Sequence, residues 1–167
     1  MRPSPTTRAV YSNSTRSALA LVGWLALSFT AAAMGGFFLP GEWYAGLRKP
    51  SWNPPNWIFG PVWTVLYATM AVAAWLVWKR GGFAGQRFAL SLFLMQLLLN
   101  ALWSPLFFGL RNTGLAFVDI VWLWLAVLAT VVAFWKTRPL TGALLVPYLA
   151  WVTFASVLNF ALWRLNR

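Results

Sequence analysis

Apolar residues gather in five long runs, near Ala18 to Leu39, Pro61 to Trp78, Phe88 to Phe108, Gly114 to Trp135 and Leu140 to Trp163. Short stretches carrying Lys, Arg, Gly or Pro separate them. An α-helix needs about 20 apolar residues to cross the hydrocarbon core of a bilayer, and each run supplies roughly that length. The pattern predicts an all-α integral membrane protein, a five-helix bundle with little chain left for a soluble domain. One connection is long, from Pro40 to Gly60 between the first and second spans. Its Pro40, Pro50, Pro54 and Pro55 hold it to extended or turn conformations. Residues 1–16, rich in Ser, Thr and Arg and without apolar periodicity, are expected to form a flexible or surface-lying arm, leaving 17–167 as the membrane domain. Arginines ahead of an apolar run, and Ala31-Ala32-Ala33 within it, imitate a signal peptide. The run outlasts the roughly 7–15-residue apolar region of such a peptide, so it is read as a retained first helix.

Within the spans, polar and aromatic residues recur on single faces. The first span carries Ala31-x-x-x-Gly35 and Ala32-x-x-x-Gly36, small residues that let helices approach closely, either within the bundle or between two copies. In the second, Trp63, Tyr67, Met70 and Ala74 share a face, while Trp75 and Trp78 stand near the opposite membrane boundary as belt residues. In the third, Gln96, Asn100, Trp103 and Phe107 fall in line, and amides facing lipid would be costly, so this face should look inward. The fourth carries Asp119, with Trp122 three residues on. An ionisable group inside a membrane span marks a functional site or an interhelix tie, and the amides of Asn100 and Gln96 or a loop donor are its expected partners. The fifth has Pro147 in its apolar run, allowing a kink, then Tyr148, Trp151, Ala155 and Asn159 along one face. Together these faces describe a pocket for a large, flat, mostly apolar molecule, with the Pro40 to Gly60 loop either as its lid or as an interfacial anchor.

Composition sharpens this picture. The chain is 60% hydrophobic and 9% charged, with 13 tryptophans, of which Trp43, Trp52, Trp57 and Trp63 crowd the loop and its exit. A net charge of +11 would point to nucleic acid in a soluble protein; here the basic residues sit at span ends and termini, where they meet anionic headgroups, and no nucleic-acid partner is expected. Eight basic residues fall on the N-terminal face (Arg2, Arg8, Arg16, Lys79, Arg80, Arg87, Lys136, Arg138) and five on the other (Arg48, Lys49, Arg111, Arg164, Arg167). This bias predicts a cytoplasmic N-terminus with the Trp-rich loop outside. His and Cys are absent, which removes thiol chemistry, zinc sites and the usual haem ligands. Met34, Met70 and Met95 are poor lone ligands, so no metal is expected. With Glu42 and Asp119 the only acids, conventional acid–base or nucleophilic catalysis has almost nothing to work with.

Ordered blocks across the chain resemble the TspO/MBR family of tryptophan-rich sensory proteins and translocator proteins. They are Glu42-Trp43-Tyr44 with Lys49-Pro50, Trp52-Asn53-Pro54-Pro55, Trp63-Thr64-Val65-Leu66-Tyr67, Gln96 to Pro105, Phe107-Phe108-Gly109, Pro147 to Trp151, and Leu158-Asn159-Phe160. The resemblance implies a five-helix bundle, usually a homodimer, that binds protoporphyrin IX or other tetrapyrroles and also isoquinoline carboxamide or benzodiazepine-type ligands. By matching position it implies ligand contacts at Tyr44, Trp63, Asn100, Phe107, Asp119, Trp122, Trp151 and Ala155; the helix faces add Tyr67 and Trp103. It further implies a sensor, regulator or transporter of tetrapyrroles in the bacterial inner membrane, without a resident cofactor. The alternative it leaves open is light-dependent porphyrin breakdown through radicals on Trp63 and Trp151. Arg48 and Lys49 at the loop are expected to meet porphyrin propionates. Two departures stand out: the family's steroid motif needs a tyrosine where this chain has Phe160, so cholesterol is not an expected partner, and the small-xxx-small dimer contact aligns with Ser91 and Met95, of which Met95 is large.

Overall fold

The computed structural model describes residues 5–167, with side chains from Ser14 onward. The arm expected over residues 1–16 therefore lies largely outside the described side chains. The elements are α1 (Pro5–Gly36), α2 (Glu42–Ala45), a single 3-10 turn (Asn56–Ile58), α3 (Phe59–Trp78), α4 (Gly82–Gly85), α5 (Arg87–Ser104), a π turn (Pro105–Gly109), α6 (Thr113–Thr137), α7 (Pro139–Ala143) and α8 (Val146–Leu165). Among the described residues, five segments are long and apolar enough to span a membrane: Ser14–Gly36, Asn56–Trp78, Arg87–Gly109, Thr113–Thr137 and Pro139–Leu165. All five coincide with the apolar runs of the sequence. The chain is an integral membrane protein, and its side chains Leu19, Val22, Phe88, Leu98 and Val118 are more than half exposed on the outside of the bundle.

The core forms where α3, α5, α6 and α8 turn their inner faces together, around Met70, Ala74, Phe93, Leu123, Val127, Phe134 and Tyr148. Alanines at 71, 73 and 74, each fully buried, let the helices close on one another without a hydrophobic driving force between them. The first helix sits at the margin. Its N-terminal part is tied to the end of α3 by the Trp75 indole, which donates to the Ser17 carbonyl at 2.9 Å. Trp75, expected as a belt residue, thus serves as a helix tie. At the other end of α1, Ala31 is buried and a side chain added at Gly35 would come within 3.3 Å of Ser104, so this small-residue pair serves packing within the bundle.

The fifth span is broken rather than kinked. After α6 the chain extends at Arg138, turns through α7, and restarts as α8 with Pro147 in its first turn. The kink expected at Pro147 is absent for a simple reason: a first-turn residue has no intrahelical N–H bond to lose. The corner is held by the buried Thr141 hydroxyl, 2.8 Å from the carbonyls of both Phe134 and Arg138. At the opposite membrane boundary, the Asn112 side chain caps α6 by accepting from the Leu115 N–H at 2.9 Å.

Candidate functional site

A cavity of about 520 Å³ opens inside the loop-side half of the bundle. That volume lies in the range of sites for drug-sized molecules. Its wall draws on the end of α1, the loop, α3, α5, the π turn, α6 and α8. Of the ten residues expected to touch ligand, eight line it: Tyr44, Trp63, Tyr67, Asn100, Trp103, Phe107, Trp151 and Ala155.

The inner wall is a buried polar chain. Tyr67 donates its hydroxyl to Asn100 Oδ1; Asn100 Nδ2 donates to the Tyr148 oxygen at 3.1 Å; the Tyr148 hydroxyl donates to Gln96 Oε1 at 2.8 Å. Three spans are stitched together by amides and phenols that would otherwise face hydrocarbon. Trp63 leans on both phenols, with ring centroids 5.4 Å from Tyr67 and 6.1 Å from Tyr148. A second tie runs from the Trp103 indole to Asn159 Oδ1 at 2.9 Å and from Asn159 Nδ2 to the Thr113 carbonyl at 2.9 Å. The buried indole N–H of Trp151, by contrast, has no hydrogen-bond partner.

Phe107 owes its place to an irregular backbone. Pro105 has no N–H to give to the α ladder, and the chain closes instead in a π turn, with the Leu110 N–H on the Pro105 carbonyl at 2.8 Å. Phe107 stacks on Trp103 at 4.8 Å and meets Phe108 at 4.9 Å. Tyr44 descends from the loop onto this aromatic ledge, 6.2 Å from Phe107 and 5.6 Å from Phe108. Burial pushes the Tyr44 phenol above its ordinary value.

Three expectations need correction. Trp122 is 61% exposed and stands on the outer surface of α6, because the inward stripe of that helix is Ala116, Asp119, Ile120, Leu123 and Val127. Asp119 is buried but does not line the cavity, and the expected ties to Asn100 and Gln96 do not form: Asn100 spends both arms on the two tyrosines, while Gln96 Nε2 and Asp119 Oδ2 are each buried without a partner. Lys49 is engaged within its own loop, its Nζ lying 2.6, 3.1 and 3.3 Å from the carbonyls of Tyr44, Ala45 and Leu47. Three donors matched to three carbonyls make it a brace, leaving Arg48 as the loop cation whose side chain has no hydrogen-bond partner among the described residues. Tyr148 and Asn159, which the sequence shows only as members of the stripe with Trp151 and Ala155, complete the polar ties behind the cavity. Ala31, Ala32 and Gly35, which the sequence marks only as small residues for close helix approach, also line the cavity.

Five spanning helices around a loop-covered, aromatic chamber define an integral membrane protein with an internal cavity. The chain belongs to the TspO/MBR family, whose model matches residues 17–164. It is 46% identical to the human translocator protein over 151 residues, covering 84% of this chain and 89% of that protein. To the protein CrtK of Rhodobacter capsulatus it is 44% identical over 140 residues, covering 81% and 86%. To the tryptophan-rich sensory protein of Cereibacter sphaeroides it is 43% identical over 143 residues, covering 86% and 89%.

Proposed function

We propose that the cavity binds a tetrapyrrole, protoporphyrin IX being the expected ligand, and that the protein acts as a tetrapyrrole sensor or carrier, as a homodimer in the bacterial inner membrane with its N-terminus cytoplasmic. The observation that carries this reading is Trp151. Tyr67, Asn100, Trp103 and Asn159 already direct their polar arms to one another, to Tyr148 or to backbone, whereas a buried indole N–H in the same wall waits for an acceptor. A flat, largely apolar molecule with a few carbonyl or carboxylate oxygens answers that demand, which covers porphyrins and isoquinoline carboxamides alike. Stacking on Trp63 and Phe107 supplies the rest of the hold.

Protoporphyrin titrations followed by the porphyrin absorption band test it. Trp151→Phe, which keeps a ring but loses the donor, should weaken affinity about tenfold, the worth of one buried hydrogen bond to a charged or strongly polar acceptor. Trp122→Phe, on the outer surface, should bind as the unaltered protein does. Equal affinities for all three proteins would remove the cavity from the reading.

A second reading, light-dependent oxidation of the bound porphyrin with dioxygen as oxidant, is favoured by the placement of Trp63 and Trp151 in one wall. Porphyrin loss should then require light and oxygen and should stop in the double Trp63→Phe, Trp151→Phe variant. Loss at the same rate in darkness would sink it.

A further inference from the structure

The loop reaches the bundle mainly through rings: Tyr44 on Phe107 and Phe108, Trp43 on Phe107 at 5.8 Å, Trp52 on Phe154 at 6.1 Å. Apolar contacts of this kind hold a segment close without fixing one position, because they lack direction. One contact is different. Asn166, the residue after α8, accepts from the Arg48 N–H through Oδ1 at 2.9 Å and donates from Nδ2 to the Arg48 carbonyl at 2.9 Å. A single side-chain amide therefore pairs both backbone groups of one loop residue, as a neighbouring strand would. Among the described residues, these are the only hydrogen bonds that join residues 40–54 to a spanning helix or its end. The same Nδ2 also donates to the Leu162 carbonyl at 2.8 Å, which aims the amide from the helix end.

The position of the clamp gives it leverage. Arg48 lies four residues after Tyr44, and Lys49 braces the turn between them through the Tyr44, Ala45 and Leu47 carbonyls. Arg48 and Tyr44 thus belong to one stiff unit, pinned at one edge by Asn166 and seated at the other on the wall of the cavity. Arg48 is exposed and Asn166 is partly exposed, so water can compete for both hydrogen bonds and release is reversible.

We propose that Asn166 is the latch of a lid: its grip on the Arg48 backbone keeps the Tyr44-bearing loop closed, and its release sets the rate at which molecules enter the cavity from the aqueous side. The identity of those molecules rests on the tetrapyrrole reading; the latch itself does not, and it is tested on the empty protein.

The chain has no cysteine, so a thiol introduced at Ala155→Cys, in the cavity wall, is a unique reporter. In lipid nanodiscs, its labelling by a charged, water-soluble maleimide should accelerate about tenfold when Asn166→Ala is added, since two solvent-competed hydrogen bonds are lost. Hydrogen exchange at the Arg48 amide, measured on Asn166→Ala alone and independent of the thiol variant, should accelerate by a similar factor. Asn166→Asp keeps the acceptor for that amide and should fall between the two. Unchanged labelling or unchanged Arg48 exchange in Asn166→Ala overturns the proposal. Failure of protoporphyrin to bind would count against the tetrapyrrole reading and leave the latch standing.

Discussion

Asn100→Ala is expected to destabilise the bundle by about 2–3 kcal/mol, read as a fall of several degrees in thermal unfolding in detergent. The side chain makes two buried hydrogen bonds, accepting from Tyr67 and donating to Tyr148. Measured hydrogen bonds between membrane helices are individually modest, averaging about 0.6 and at most about 1.7 kcal/mol, so the loss of two at the average accounts for about 1.2 kcal/mol, roughly half of the expected effect. The remainder comes from the Tyr67 hydroxyl, left as an unpaired donor in a low-dielectric wall, and from the void left by the amide. Tyr148 suffers less, because it still donates to Gln96. The double variant Asn100→Ala, Tyr67→Phe should therefore be less destabilised than the sum of its parts, since the second change removes the orphaned donor. A loss below about 0.5 kcal/mol for Asn100→Ala would show that the polar chain contributes little to holding the spans.

Gly142→Ala should have the second large effect. A β-carbon there would lie 2.7 Å from the Trp135 ring, 2.8 Å from its Cβ and 2.9 Å from its Cα. Ring atoms can swing aside; a Cα cannot without moving α6 against α7. Overpacking of this kind costs about 1–3 kcal/mol, and the bulkier Gly142→Val should exceed it. The contrasting control is Gly60→Ala, where an added methyl meets nothing within 4 Å. Thermal unfolding of the two variants side by side decides the matter, and equal midpoints would mean that the α6–α7 corner yields more easily than its backbone contacts imply.

The spans were legible because bilayer thickness imposes a length that no soluble core demands, and each apolar run met it. Helix-face arithmetic inside the spans also worked where a polar residue marked the inner side: Asn100 led to Trp103 and Phe107, and Trp151 to Ala155. It failed on α6, where Asp119 marks the inner side but the residue three positions on, Trp122, falls beyond the edge of the buried stripe. In a soluble helix a polar outer face would have exposed the error; in lipid both faces are apolar, and periodicity fades. The α1 wall was illegible for a related reason, since alanine and glycine line a cavity by being small. The break before α8 was hidden because Pro147 is compatible with both a kink and a first turn, and only the Thr141 contacts across the corner decide between them.

The π turn at Pro105–Gly109 closes over one residue more than an α turn would. Seen as chain accounting, this wall carries a one-residue surplus that fixes the angle at which Phe107 meets Trp103. Removing a residue there would restore the α register and swing the following ring by roughly 100° around the helix axis. The aromatic ledge is thus far more sensitive to a change in length than to an exchange of one apolar side chain for another, and its shape can be reset by insertion or deletion without altering any residue that touches the cavity.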